Sequence, residues 1–298
     1  MAGTTAPVQD RAGADQRPRP VNAPGGVAIS AIHALLLVAL LTFGFVGYLV
    51  GLSPLQQLRA QDNLHDRIRG ELAQATTPFG GAIEPGTPVA VITIDAVDLR
   101  AVVVEGTSSA DLLAGPGHRR DTPLPGQAGV SLLYGRAGTF GAPFRRVPDL
   151  PAGTPIEVVT GQGAFTFRVT GSRRDGDPVP APLAAGAGRL TLVTAESTRP
   201  LTAVSTVFVD ATLDGPAQPA PAGRPALIPS YERALRSDST AGFPLVLWLQ
   251  ALALAAAGLT WSRHYWGRWE TWIVGSPIVL ACVWQTYEAA VRLLPNLL

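Results

Sequence analysis

The sequence predicts a mainly β fold, an all-β barrel or sandwich of about seven or eight strands, carried by one N-terminal and two C-terminal transmembrane helices. Between residues 88 and 213, seven β-rich runs follow one another with turn residues between them: PVAVITIDAV, LRAVVVEG, GVSLLYG, PIEVVTG, AFTFRVTGSR, RLTLVTA and VSTVFVDATL. That spacing belongs to an all-β barrel or sandwich. On either side lie long runs without formal charge, enough to cross ~30 Å of hydrocarbon as helix. The stretch Arg189 to Pro200, RLTLVTAESTRP, reads as a buried strand whose apolar pattern ends at Ala195 and breaks at Glu196-Ser197-Thr198.

Composition narrows the function classes. In a chain of 298 residues, 47% hydrophobic residues and a mean hydropathy of +0.22 favour membrane segments beside one globular domain. A net charge of +1 lacks the basic field that a phosphate-tracking protein needs, so no nucleic-acid partner is expected. All the cations are Arg, which is read as codon bias. Cys282 is the only cysteine, which excludes an intramolecular disulfide.

Residues 1–26 are rich in Pro, Gly, Ala and Thr and predict a disordered cytoplasmic tail. Residues 27–52 predict a retained signal anchor, and the preceding Arg11, Arg17 and Arg19 place the N-terminus in the cytoplasm. His33 in this run is read as a packing residue. Residues 53–76 predict a stalk helix that docks on the following domain through Leu55, Leu58, Leu64, Ile68 and Leu72. The barrel follows at 77–213, then a Pro/Ala-rich linker at 214–242. Residues 243–261 and 271–291 predict two membrane helices joined by a loop at 262–270. Arg263, His264 and Arg268 make that loop cytoplasmic, and the Trp residues around it fit an interfacial belt. Glu288 and Arg292, four apart, are spaced to pair.

Five motifs in order carry a family resemblance: Ala90 to Thr107, ending in Glu-Gly-Thr; LLAGPGHRRDTPLPGQAG, Leu112 to Gly129; the segment from Gly129 to Val158 containing GAPF; LTLVTA; and VFVDATL, Val207 to Leu213. Together they resemble the sortase family of cysteine transpeptidases, of the class D and E kind found in actinobacteria. The resemblance implies a β-barrel with a groove for a short extended sorting signal of Leu-Pro/Ala-x-Thr-Gly pattern. It also implies a catalytic Cys after LTLVT, a catalytic His and an Arg on the last strand. Here Ala195 stands in the Cys position. Counting back from Gly141 to Phe144 puts Arg136 at the His position, and alignment on Val209 and Ala211 puts Thr206 at the Arg position. His118 matches the upstream GPGH motif and is read as structural.

Nucleophilic catalysis needs a thiolate or alkoxide, a route for its proton and a donor for the oxyanion. Ala195 offers a methyl group, and Arg136 cannot accept a proton. Thr194, or Ser197 assisted by Glu196, are the substitute nucleophiles the sequence allows. Arg136, His118, Thr194, Glu196 and Arg199 are the candidate groove or anion-binding residues, with further arginines at 119–120, 145–146 and 173–174. No cofactor is expected, and the scattered acids Glu84, Asp95, Asp98 and Glu105 have no metal-ligand spacing.

The leading expectation is therefore a membrane-anchored, extracytoplasmic sortase-like domain, catalytically inactive, that acts as a binding or assembly module in a bacterial cell envelope. Its expected partners are the membrane, a sorting-signal-like peptide and a membrane protein held by the C-terminal helices. One alternative is an active transpeptidase or hydrolase with a displaced nucleophile or one completed by a partner. Another is a transmembrane hairpin subunit of an envelope or transporter complex, with the barrel as an external cap.

Overall fold

The computed structural model describes Gly3, residues 26–196 and residues 205–298. The predicted N-terminal tail lies almost wholly outside the described residues, as do Ser197 and Arg199. The chain divides into two units, Met1–Phe43 and Gly44–Leu298.

In the first unit the described residues form most of helix α1 (Gly26–Gly47). Two of its polar side chains fold back on the helix: His33 Nδ1 lies 2.8 Å from the Ile29 carbonyl, and Thr42 Oγ1 donates to Val38 at 2.8 Å. Hydrogen bonding to the helix backbone is how polar groups are satisfied where no water is available.

The second unit opens with a π-helical turn, Tyr48–Leu52, and α2 (Ser53–Ala73), with Pro54 in its first turn where no amide hydrogen is needed. The leucine stripe predicted to dock α2 is only partly used, since Leu55 and Leu58 are 54% and 56% exposed. Ile68 of that stripe is buried, and with it Ser53, Gln57 and Gln61. The polar members of this face satisfy backbone groups at their contacts, which makes a polar docking face stable.

Eight strands follow: β1 (Pro88–Ile94), β2 (Leu99–Glu105), β3 (Gly117–His118), β4 (Gly129–Tyr134), β5 (Pro155–Thr160), β6 (Gly163–Arg174), β7 (Gly188–Glu196) and β8 (Ser205–Leu213). They close into a barrel in the order β1-β2-β3-β4-β7-β8-β6-β5. The β2–β3 and β4–β7 pairs are parallel and the others antiparallel. Seven of the strands coincide with the seven runs read from the sequence; β3 is too short to show a period. Alternation sorts the side chains. Leu190 and Leu192 join Ile92, Leu133, Phe144, Ile156, Phe167 and Val209 in the main core, while Val193 and Ala195 join a second cluster.

Residues 214–242 lie along the barrel. Gln218 forms a bridge to Gln127, Arg224 pairs with Glu105, and Arg120 pairs with Glu232. Two helices complete the chain, α3 (Gly242–Tyr265) and α4 (Arg268–Arg292). Helical backbone continues past both apolar runs, so the connection is Trp266-Gly267 rather than the whole of 262–270. The helices pack closely at Gly275, where a Cβ would meet Leu259 at 2.0 Å. Glu288 accepts hydrogen bonds from Gln56 (3.1 Å) and Trp284 (2.9 Å) instead of serving its helical neighbour Arg292.

Two helical stretches are long and apolar enough to cross a membrane, Ala31–Ala73 and Ser239–Tyr265. Large apolar side chains on them, among them Leu35, Phe43, Phe243 and Leu254, are exposed. The α4 helix meets the length but carries Arg268, Glu270, Glu288 and Arg292, and it falls outside that measure.

Candidate functional site

The site lies where β4, β7 and β8 end together. Tyr134 is paired with Val193, and the next residue, Gly135, donates its N–H to the Val193 carbonyl at 3.0 Å. Continuing this parallel register brings Arg136 level with Ala195. From the other side, the antiparallel register sets Thr206 directly opposite Ala195. Three positions singled out in the sequence are thus neighbours on three strands.

Ala195 is 3% exposed and faces away from the main core, into a cluster with Leu112, Tyr134, Ala137, Val193 and Leu297. The strand has to end in a small side chain to admit this packing. Thr194, one step back on the strand, faces the opposite way, and its hydroxyl donates to the Gly135 carbonyl at 2.9 Å. That bond ties β7 to the end of β4. The Glu196 carboxylate is gripped by Arg174, with Nη2 to Oε1 at 2.7 Å and Nε to Oε2 at 2.8 Å, and accepts from Ser205 at 3.2 Å. The Arg174 fork pulls the Glu196 carboxyl down to about 2, leaving a weak base.

Arg136 is fully buried. Its Nη2 donates to the Ser109 carbonyl and hydroxyl, both at 2.9 Å, and its Nη1 to Thr139 Oγ1 at 3.1 Å and the Leu298 oxygen at 3.2 Å. The guanidinium also lies 5.3 Å from the centre of the Phe140 ring. No carboxylate side chain pairs with it among the described residues. Burial therefore pushes it down to about 9, which still leaves a cation at neutral pH.

His118 is held elsewhere. Its Nδ1 lies 2.9 Å from Glu105 Oε2, and its Nε2 lies 3.0 Å from the Pro123 carbonyl and 3.1 Å from Thr122 Oγ1. Glu105 also pairs with Arg224, so the imidazole is one member of a buried charged group that fastens residues 214–242 to the barrel. The other arginines considered for anion binding are mostly engaged with the chain's own acids: Arg119 with Asp121, Arg120 with Glu232, and Arg173 with Asp210. A guanidinium already forked on a carboxylate is a poor receptor for another anion.

The sequence reading assigned nothing to residues 293–298, yet Asn296, Leu297 and Leu298 are buried beside Ala195 and Arg136. Ser109 and Thr139, which receive Arg136, were also passed over. The legible signal was Leu294-Pro295-Asn296, the one Leu-Pro in the sequence that falls outside the barrel motifs.

Among the described residues, no group of three or more His, Cys, Asp or Glu side chains is placed to hold a metal. The space beside Ala195 that Leu297 and Leu298 fill is a cleft offering a buried cation, a backbone donor and an apolar floor.

Comparison with known proteins gives the same family as the motifs. The family model described as the sortase domain matches residues 92–212. Sortase D of Bacillus subtilis (strain 168) is 30% identical over 86 residues, which is 29% of this chain and 42% of that relative's own length. Among solved structures, a sortase transpeptidase of class D from Clostridium perfringens is similar at 19% identity and a TM-score of 0.43, covering 53% of this chain and 98% of its own. Sortase E1 from Streptomyces coelicolor, solved with a tripeptide in its active site, is similar at 24% identity and a TM-score of 0.39, covering 46% and 93%. Residues 92–212, the greater part of the closed barrel, are a sortase-family domain.

Proposed function

We propose that this chain is a membrane-anchored, extracytoplasmic sortase-family domain that performs no transpeptidation and acts as a binding or assembly module in the cell envelope. The observation that carries the reading is the methyl group of Ala195 at the end of β7, with Arg136 and Thr206 level with it on the adjoining strands. A transpeptidase needs a nucleophile at the strand end and a base beside it. Here the candidate hydroxyl of Thr194 is committed to Gly135, and Arg136 is a donor only.

Anchoring is supported by the two helical stretches long enough to span and by their exposed apolar side chains. Support for this orientation comes from the arginines before α1 and around the α3–α4 connection, which by the positive-inside rule favour the cytoplasmic side for both and, with it, a barrel outside. In this reading α4 joins α3 as a second C-terminal span, and the exposed faces of the pair meet a membrane-protein partner.

The test is mass spectrometry of the full chain in detergent with a Leu-Pro-Ala-Thr-Gly peptide and a triglycine acceptor. An Ala195→Cys, Arg136→His variant runs alongside. The unmodified chain is expected to return the peptide intact. Acyl transfer or hydrolysis by it would overturn the inert reading and favour a displaced nucleophile.

A further inference from the structure

Beyond α4 the chain runs Leu293-Leu294-Pro295-Asn296-Leu297-Leu298, and this segment enters the cleft beside Ala195. We propose that the cleft is a receptor for a Leu-Pro-x-Leu peptide and that residues 294–298 are its occupant in cis, closing it to peptides from elsewhere. The proposal rests on the peptide-groove part of the function proposed above and is independent of whether the chain turns over substrate.

The segment is seated as a ligand is, by main-chain bonds with side chains in pockets. Ala137 N–H donates to the Leu297 carbonyl at 3.0 Å, Thr139 Oγ1 to the Leu298 oxygen at 2.6 Å, and Arg136 Nη1 to the same oxygen at 3.2 Å. Asn296, 0% exposed, reads two separate parts of the chain at once, with Nδ2 donating to the carbonyls of Thr107 (2.8 Å) and Arg233 (3.0 Å). Its own N–H donates to Arg236 at 3.0 Å. Ser109 Oγ reaches the Leu294 carbonyl at 3.3 Å.

The side chains alternate in role. Leu297 is 0% exposed and fills the cluster that contains Ala195, while Leu294 packs against the cluster of Tyr48, Leu49, Phe140 and Val291. Pro295 fixes its own φ, and residues 295–298 form a turn closed by the Leu298 N–H donating to the Pro295 carbonyl at 3.1 Å, so the occupant brings part of its own order. The two features that distinguish this site are matched to the occupant. The methyl of Ala195 leaves room for the Leu297 side chain, and Arg136 supplies a donor to Leu298.

Attachment to α4 makes the occupant intramolecular. A tethered peptide competes at an effective concentration of ~1 mM or more, so a free peptide of the same sequence is at a large disadvantage.

The test uses the full chain in detergent with Cys282→Ser as background. Ala195→Cys is combined with Leu297→Cys, and separately with Leu254→Cys on the exposed face of α3. Under mild oxidation the 195–297 pair is expected to close into an intramolecular disulfide at least about 100-fold faster than the 195–254 pair. Equal rates would overturn occupancy in cis. A second measurement follows fluorescence polarisation of a labelled Leu-Pro-Asn-Leu-Leu peptide with the parent and with Leu297→Asp. Binding at least about tenfold tighter by Leu297→Asp is expected, as the tether no longer competes. Equal affinity, or no binding to the opened variant, would overturn the assignment of the cleft as a receptor for this peptide class. Neither readout requires or excludes turnover, so loss of this proposal and loss of the inert reading are separate results.

Discussion

The carboxamide of Gln61 pairs with both backbone groups of Val102: its Nε2 donates to the Val102 carbonyl at 3.1 Å, and its Oε1 accepts the Val102 N–H at 2.7 Å. The same Nε2 donates to the Ala114 carbonyl at 2.7 Å. One helix side chain thus does for the edge of β2 what a neighbouring strand would do. Replacing it leaves a buried donor and two acceptors without partners, each a desolvation penalty. Gln61→Ala is expected to lower stability by about 3 kcal/mol, measured as a shift in urea midpoint. Gln61→Leu, of similar volume, should be no better, because the loss is of hydrogen bonds and not of packing.

Gly117 shows why the GPGH turn has to carry glycine. A Cβ at Gly117 would stand 2.1 Å from the Gly106 carbonyl oxygen, and that backbone is fixed by the bond from Gly106 N–H to the His118 carbonyl at 2.8 Å. Gly117→Ala is expected to destabilise the barrel by about 3 kcal/mol or to prevent its accumulation. Gly153→Ala, at an open site with φ 87, is the comparison. It pays only the left-handed backbone cost of about 1 kcal/mol. A Gly117→Ala protein as stable as Gly153→Ala would remove the steric account.

Much of this was readable in the sequence, and the reasons differ by element. Seven strands announce themselves because their apolar runs are long enough to be seen between turns; motif order singled out Ala195 and Arg136, and continuing the β4–β7 register brings the two level. The two-residue β3 has no period to detect. The docking face of α2 was read in part: Ile68 is buried as the stripe predicts, whereas a rule that looks for apolar residues passes over Gln57 and Gln61, buried by contacts made far along the chain. Residues 293–298 escaped for the same reason. A six-residue polar-apolar segment has no local signature, and its burial is created by residues far along the chain, from Thr107 and Arg136 to Arg233.

The buried group of Glu105, His118 and Arg224 joins the linker to the barrel, and removing its only acid should release the linker. Glu105→Ala leaves Arg224 and His118 without their carboxylate, a loss of about 3–5 kcal/mol for a buried pair broken on one side. Because every basic side chain is Arg, trypsin reports the release directly. Cleavage after Arg233, the next arginine of the linker and one followed by Ala234 where Arg224 is followed by proline, should be much faster in Glu105→Ala than in the parent. Unchanged cleavage would show that Gln218 and Glu232 hold the linker without this group.

Acid should act on the exposed end of β7. The Arg174 fork lowers the Glu196 carboxyl from the ordinary 4.5 to about 2. A carboxylate held below its unfolded value adds stability that is fully present above pH 4.5 and is lost as pH falls through about 2. In Arg174→Met, Glu196 should titrate close to the ordinary carboxylate range, followed by NMR of its side-chain carboxyl. The variant's stability should also vary less than the parent's between those two pH values. A Glu196 titration unmoved by the substitution would assign the lowering to Ser205 instead.

Arg136 carries the last prediction, because its burial is a cost that its hydrogen bonds only partly offset. It is 0% exposed, its Nε has no hydrogen-bond partner, and desolvation drives it down to about 9. Replacing a buried charge with an apolar side chain of similar length is often neutral or stabilising. Arg136→Met is therefore expected to leave the urea midpoint of the barrel within about 1 kcal/mol of the parent, while removing one of the donors to Leu298 and the contact with Ser109. Hydrogen exchange separates the two effects. The amides of Leu297 and Leu298 should exchange faster in the variant, and those of β7 should not. A large loss of global stability would instead make Arg136 a structural cornerstone of the barrel, its bonds to Ser109 and Thr139 outweighing the desolvation.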